Sequence, residues 1–422
     1  MKTNKQTKPR SIILGGGFGG LEAALSMRSS MPDEADITLV SDKEYFTYKP
    51  NTIYVPFGLS PGKLALQLSA PTRHRNISLI KATAREIDPV SGLVFLDRPN
   101  HLSDLPYDYL VVATGAGMRP EEVPGLAEFG VTLWTTEDML SLRAAFRKLL
   151  ATAKDNRKSS VLFLLPPNNQ CSGPLYEMAL MLDAWLRRKK VRDQVGLVFT
   201  TFEETYIQAF GPRIHDYVTQ EFEHRGIEGH TRYSVDRIEK SEAVYKNGER
   251  VPFDLLVSFP QYAASTPFTQ LPVDNRGFIA TDLRTRQVVG YPNVYAVGDA
   301  SDFPIKQADL AILQADAAAD HLSRRVLAQV PGVLSDTLSM SLAGGHSQPP
   351  REITASRLGP VKMRATTDDL CKVGSSPLWR LGRMALGFYL PWRFKANNPF
   401  NSEVPWKGLE TGFKVIPGVP AR

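Results

Sequence analysis

Two stretches of this chain hold residues whose types and spacing can do chemistry. The first is Gly15-Gly16-Gly17-Phe18-Gly19-Gly20, a G-x-G-x-x-G spacing set between an apolar run at 11–14 and an alanine-rich segment. Glycines at those positions let backbone approach a pyrophosphate, and a helix opening there offers free N–H groups and partial positive charge. The second is Pro166-Pro167-Asn168-Asn169-Gln170-Cys171-Ser172-Gly173-Pro174, which presents a thiol just ahead of a predicted helix. A helix N-terminus lowers a thiol's pKa and favours the thiolate. At an isolated position the alternative is a buried, inert cysteine.

Two further pieces extend the first stretch. Asn293-Val294-Tyr295-Ala296-Val297-Gly298-Asp299 is a strand running into a Gly-Asp pair, placed to hold a flavin's ribityl chain. Ala113-Thr114-Gly115 closes another apolar strand with a small-residue turn. With Gly15, Gly17, Phe18 and Gly20 at the pyrophosphate, this ordered set specifies bound FAD. At the end of the second strand, where an acid usually meets the ribose, the chain has Ser41 followed by Asp42; Pro50 completes the expected cofactor-binding set.

These residues need elements to position them. Residues 11–31 read as strand, turn and helix, and 35–41 as a buried parallel strand that closes a β-α-β unit. A second unit opens with a strand at 160–166, continues through a helix at about 173–190 and reaches a strand at 195–201. Strands at 253–259 and 293–297 follow. The expected class is α/β, with two Rossmann-like (two-dinucleotide-binding) domains plus a C-terminal subdomain. Its expected divisions are 1–150 for the first part of the FAD-binding domain, 151–270 for the second Rossmann-like domain, 271–326 for the return to the first, and 327–422 for the C-terminal subdomain.

The second unit lacks the glycine fingerprint that a nicotinamide cofactor normally requires. Two prolines and bulky side chains stand where backbone would have to approach a second pyrophosphate. The electron donor is therefore expected to be smaller than NAD(P)H.

Composition narrows the class further. The chain has 422 residues, 42% of them hydrophobic and 22% charged, with Lys plus Arg 50 against Asp plus Glu 44 and a formal charge of +6. That balance suits an anionic cofactor, an anionic substrate or acidic lipid headgroups. No run of Lys and Arg interleaves with stacking aromatics, so nucleic acid is not an expected partner. Two cysteines make no disulfide framework, and no metal site is read. The polar start and the absence of a long apolar run point to a cytoplasmic protein, with peripheral attachment at the inner face of the membrane left open.

The segment Gln170-Cys171-Ser172-Gly173-Pro174-Leu175-Tyr176-Glu177-Met178-Ala179, with Ile37-Thr38-Leu39-Val40-Ser41-Asp42-Lys43-Glu44-Tyr45-Phe46-Thr47-Tyr48-Lys49-Pro50, resembles the sulfide:quinone oxidoreductases. That family is related to flavocytochrome c sulfide dehydrogenase and, more distantly, to type II NADH dehydrogenase. The resemblance covers roughly residues 10–325. It implies an FAD-dependent oxidoreductase carrying electrons from sulfide or a small sulfur compound to a quinone. In that setting Cys171 takes the sulfide sulfur and Glu177 handles protons near the flavin. Lys306, in Phe303-Pro304-Ile305-Lys306-Gln307, lies near the flavin pyrimidine edge and the quinone. A lysine there favours negative charge on the reduced ring, and burial would raise the Glu177 pKa towards a useful range.

The chain also departs from that pattern. The family's second cysteine, a few tens of residues beyond the lysine, is missing from the window at 335–344, and Cys371 comes much later. Residues 133–138 contain no cysteine, and Gln307 stands where the family has a small residue after its lysine. A relative of the type II NAD(P)H:quinone reductases and a non-catalytic flavin-binding redox sensor are thus retained as alternatives. Residues 378–395 are aromatic and basic, which suits either a membrane interface or a core-packing helix with snorkelling arginines. Family context favours membrane contact near the quinone.

Overall fold

The computed structural model describes residues 7–98, 101–169, 171–208, 212–329 and 387–400. Strand β1 (Arg10–Leu14) is apolar at Ile12, Ile13 and Leu14 and buried on both faces, as a central parallel strand requires. It leads through the glycine turn into helix α1 (Phe18–Ser30) and then strand β2 (Asp36–Ser41). The first sheet has six strands in the order Gln287–Val288, Tyr291–Ala296, Tyr109–Val112, β1, β2 and Ser78–Lys81. All neighbours run parallel except the first pair. Strand order therefore reverses beside β1, and a crevice opens outside the carboxyl ends at that switch point.

The second sheet is wholly parallel, in the order Gly130–Thr132, Leu255–Ser258, β3 (Ser159–Leu165), β4 (Val195–Thr201) and Ile227–His230. Its edge strand comes from upstream of the division read at residue 150, because Gly130–Thr132 pairs with Leu255–Ser258. Helix α2 (Gly173–Arg188) covers this sheet with Leu175, Tyr176, Met178, Ala179, Leu182 and Leu186, a helical spacing of apolar residues. Tyr176 stacks on Phe199 with ring centroids 4.2 Å apart. Strand β5 (Tyr262–Ala264) pairs antiparallel with Ala116–Met118. Helix α3 (Ala308–Leu327) returns to the first sheet, where Ala311, Ala315, Ala318 and Ala319 pack in one core with Ala23 and Ala24 of α1.

Asp183 on α2 is fully buried and takes three arginines: Arg187 at 3.0 Å, Arg192 at 2.7 Å and Arg225 at 3.1 Å. Burial raises its pKa, but the three guanidinium hydrogen bonds outweigh that and hold it below the usual carboxylate range. The carboxylate therefore stabilises the fold at pH values above about 4, and this contribution is lost as pH falls below that. Asp183→Asn is expected to cost about 3 kcal/mol at neutral pH and much less in acid. Because the native pKa is lowered, the loss is complete only well below the usual carboxylate value, so urea unfolding at about pH 7 and about pH 2 checks both.

Residues 387–395 form a helix whose Leu390 and Phe394, with Phe400, bury into the core of the first sheet. Phe46 and Phe400 lie 6.0 Å apart, and Phe18 packs on both. Phe400 N–H donates to the buried carboxylate of Glu22 on α1, and Arg75 donates to Asn397 and Asn398. The same helix leaves Phe388 and Trp392 exposed at 73% and 59%. One face of this helix thus packs into the core, and the other is exposed. Residues 378–386, the window at 335–344 and Cys371 lie outside the described residues. Among the described residues no helix is long and apolar enough to cross a membrane.

Candidate active site

The carboxyl ends of β1, β2, Tyr109–Val112 and Tyr291–Ala296 open onto one cleft of about 1800 Å³. That exceeds the roughly 300–1,000 Å³ of a drug-sized pocket, as an extended dinucleotide demands. Gly15, Gly17 and Phe18 line it, as do Ser41 and Asp42 after β2, Pro50, and Ala113, Thr114 and Gly115. Gly298 and Asp299 enter from the opposite side with Lys306, while Cys171 and Glu177 enter from the second unit. Gly20 is buried beneath the turn instead of lining it. Its missing side chain makes room for protein: a Cβ there would meet Gly15 O at 1.8 Å.

The turn has the shape that a pyrophosphate needs. Gly15 has φ of +110°, and a Cβ there would lie 2.3 Å from Ala113 O. Gly17 caps α1 and faces open space, where its added Cβ would touch no protein atom. The cradle is thus free of side chains above Gly17, and the N–H groups of α1 face into it. These residues fit FAD.

Four charged groups share the cleft with the thiol. Asp299 is half-buried, and desolvation raises its pKa against the pull of Lys49 and Lys306. Lys306 is buried; its Nζ donates to Ser301 O and lies 3.7 Å from the centroid of the Phe278 ring. Burial lowers its pKa to about 8. The snorkelling surface position is therefore not what the chain adopts. Lys49 points into the cleft with Nζ 3.5 Å from the Trp134 ring centroid, and the protein walls around it also bring its pKa to about 8. Asp309, in the first turn of α3, lines the same cleft, and desolvation raises it to about 6.

Both lysines are cations below about pH 8 and lose charge above it. The rate at which apoprotein takes up FAD, an anion, is accordingly expected to fall severalfold between about pH 7 and about pH 9.5. Quenching of flavin fluorescence follows this directly; a flat profile would remove the two lysines from the account.

Cys171 departs from the sequence expectation. Burial, reinforced by Asp299, pushes its thiol up to about 12, while hydrogen bonds from Tyr262 and Gln307 act in the opposite sense. The helix start does not prevail for a local reason. Ser172 is the N-cap, but its hydroxyl donates to Glu203 at 3.3 Å and makes no cap bond; Cys171 lies one residue further out. Its own N–H goes to Asn169 Oδ1 at 2.8 Å. The resting group is a neutral thiol. Glu177 is half-buried in the second turn of α2.

The second unit lacks two features that a nicotinamide dinucleotide uses, a glycine cradle and a free acid past the second strand. Its turn carries Pro166, Pro167 and Asn168, the last in the left-handed region at φ 63°. Glu203, just past β4 where a ribose-binding acid would stand, is buried and already engaged. It accepts from Tyr176 at 2.9 Å, Thr201 at 3.0 Å and Gln208 N–H at 3.1 Å.

Sequence reasoning passed over Lys49, Trp134, Tyr262, Gln307 and Asp309 as cleft residues. Lys49 sits beside Pro50 in the chain, so that signal was at hand. Tyr262 and Trp134 reach the cleft only through pairings between distant strands.

A glycine cradle in the first unit and a thiol in place of the second define a flavoprotein of the two-dinucleotide-binding class. The chain matches the family described as pyridine nucleotide-disulphide oxidoreductase over residues 9–153 and 178–315, and it belongs to that family. It is an FAD-dependent oxidoreductase. Among curated proteins it is 28% identical to the sulfide-quinone reductase of Aquifex aeolicus over 316 residues, covering 69% of this chain and 68% of that one. It is 22% identical to the type II NADH:quinone oxidoreductase Ndh of Mycobacterium tuberculosis over 315 residues, covering 69% and 66%. The crystal structure of sulfide:quinone oxidoreductase from Aquifex aeolicus superposes with a TM-score of 0.79 at 22% identity, over 97% of this chain and 96% of that one.

Proposed function

We propose that this protein takes two electrons from sulfide, or from a small sulfur compound, and delivers them to a quinone. The observation that carries the reading is Cys171, brought into the flavin cleft by the turn that would otherwise bind a nicotinamide dinucleotide. The engaged carboxylate of Glu203 supports it from the other side of that turn. So do relatives named for sulfide and quinone, two of them 28% and 24% identical.

When bound, FAD supplies a two-electron acceptor. The remaining work falls to side chains of this chain. Gly15, Gly17 and the start of α1 hold the pyrophosphate, and Asp299 the ribityl chain. Cys171 is the sulfur nucleophile. Because it rests as a thiol, a base has to take its proton, and Glu177, in the second turn of the helix that follows it, is that group. Lys306 and Lys49 favour negative charge in the cleft at neutral pH. Reducing a quinone to a quinol consumes two protons, and Asp309, titrating near 6, is a donor in the right range.

Steady-state turnover with sulfide and a short-chain quinone tests the reading. Sulfide-dependent quinol formation supports it. FAD-loaded protein that turns over with neither sulfide nor NADH would be the non-catalytic flavin protein instead, and NADH-driven turnover would make it a type II reductase. As the further part of the proposal, Phe388 and Trp392 rest on the headgroup region of a membrane at its inner face. Co-sedimentation with anionic vesicles should fall severalfold in a Phe388→Ser, Trp392→Ser variant.

A further inference from the structure

One wall of the cofactor cleft comes from far along the chain. Leu390, in the helix at 387–395, lines the same cleft as Gly15, Gly17 and Asp299. That helix starts against Asn51, another lining residue: a Cβ added at Gly387 would lie 3.1 Å from Asn51 Nδ2.

The residues that follow grip the start of α1 at two points. Phe18 is the first residue of α1, next to the Gly17 cap, and its ring lies 5.8 Å from that of Phe400. One turn further on, the carboxylate of Glu22 accepts the Phe400 N–H. Residues four apart share a helix face, so the ring and the backbone of one residue together hold the turn whose N–H groups face the pyrophosphate. Phe400 is fully buried, with Phe394 stacked beside it at 6.0 Å and Phe46 also 6.0 Å away. Arg75 ties down the stretch between by donating to Asn397 O and Asn398 Oδ1, and Arg393 donates to Pro399 O at 3.0 Å.

We propose that residues 387–400 are a clasp on the FAD site, walling the cleft with Leu390 and bracing the first turn of α1 with Phe400. Cofactor and clasp then stabilise each other. A docked clasp tightens FAD binding, and bound FAD holds the clasp docked by the same factor. This role concerns the FAD cradle alone and is independent of which donor or acceptor the flavin serves.

Two substitutions that lie outside both sheets should undock the clasp in the full chain. Phe400→Asp puts a charge in a fully buried site beside the Glu22 carboxylate, and Phe394→Asp puts one against Phe46, whose ring is 6.2 Å away. The FAD dissociation constant, read by quenching of flavin fluorescence, is expected to rise about tenfold in each. The second readout is hydrogen exchange in the unmutated protein. Backbone N–H groups at 387–395 should exchange about tenfold more slowly with FAD than without it, while those of Ile227–His230, at the far edge of the second sheet, should change little. Residues that served the fold alone would give this segment no such FAD-dependent protection. Unaltered FAD affinity in both variants would overturn the proposal, as would protection at 387–395 no greater than at Ile227–His230. Should one variant fail to fold, the other variant and the exchange data decide.

Discussion

Gly20→Ala is expected to give protein that cannot hold FAD. The added Cβ meets Gly15 O at 1.8 Å and Gly15 C at 3.0 Å, both backbone atoms that no rotamer change can move. Gly15 cannot retreat, since its own Cα faces Ala113 O and its φ of +110° belongs to glycine. Helix α1 must therefore pull away from the turn, taking with it the N–H groups that face the pyrophosphate. A displacement of this size costs about 3 kcal/mol, or about a hundredfold in FAD affinity. Gly17→Ala separates the causes: its Cβ meets no protein atom, so the fold should survive while the cradle fills. Flavin absorbance per chain and the thermal midpoint check both. Stoichiometric FAD in Gly20→Ala would contradict the close packing of turn and helix.

Cys171→Ala is expected to have the opposite signature. The side chain is half-buried at the edge of the second-unit core, so the fold and the bound flavin should be retained. Sulfide-driven bleaching of the flavin should slow about a thousandfold, the scale on which removal of a nucleophile is felt. Reduction by dithionite, which needs no protein nucleophile, should be unchanged. Full sulfide activity in this variant would remove Cys171 from the reaction. Together the two variants divide the cleft into a part that holds the cofactor and a part that presents the donor.

Much of this was legible in the chain itself. Strand β1, helix α1 and strand β2 follow from an apolar run, a glycine spacing and a second apolar run, all local signals. The loss of a glycine fingerprint before α2 is likewise a local signal, carried by Pro166, Pro167 and Asn168. The state of Cys171 could not be read. The sequence places the thiol before a helix, but the burial that raises its pKa, and the Asp299 charge that reinforces it, follow from the tertiary fold. Lys306 follows Gly298-Asp299 closely in sequence, yet its burial against Phe278 is a tertiary fact. The first-sheet docking of residues 387–400 depended on Glu22, whose place in the fingerprint helix gives no hint that it receives Phe400 N–H.

The central claim is that electrons enter this flavin from sulfur and not from a nicotinamide. Anaerobic titration of the FAD-loaded protein with sulfide, NADH and NADPH in parallel tests it most directly. The account predicts full bleaching of the flavin band by sulfide within the dead time of manual mixing, and no bleaching by either nucleotide. Rapid bleaching by NADH or NADPH, with sulfide inert, would contradict it.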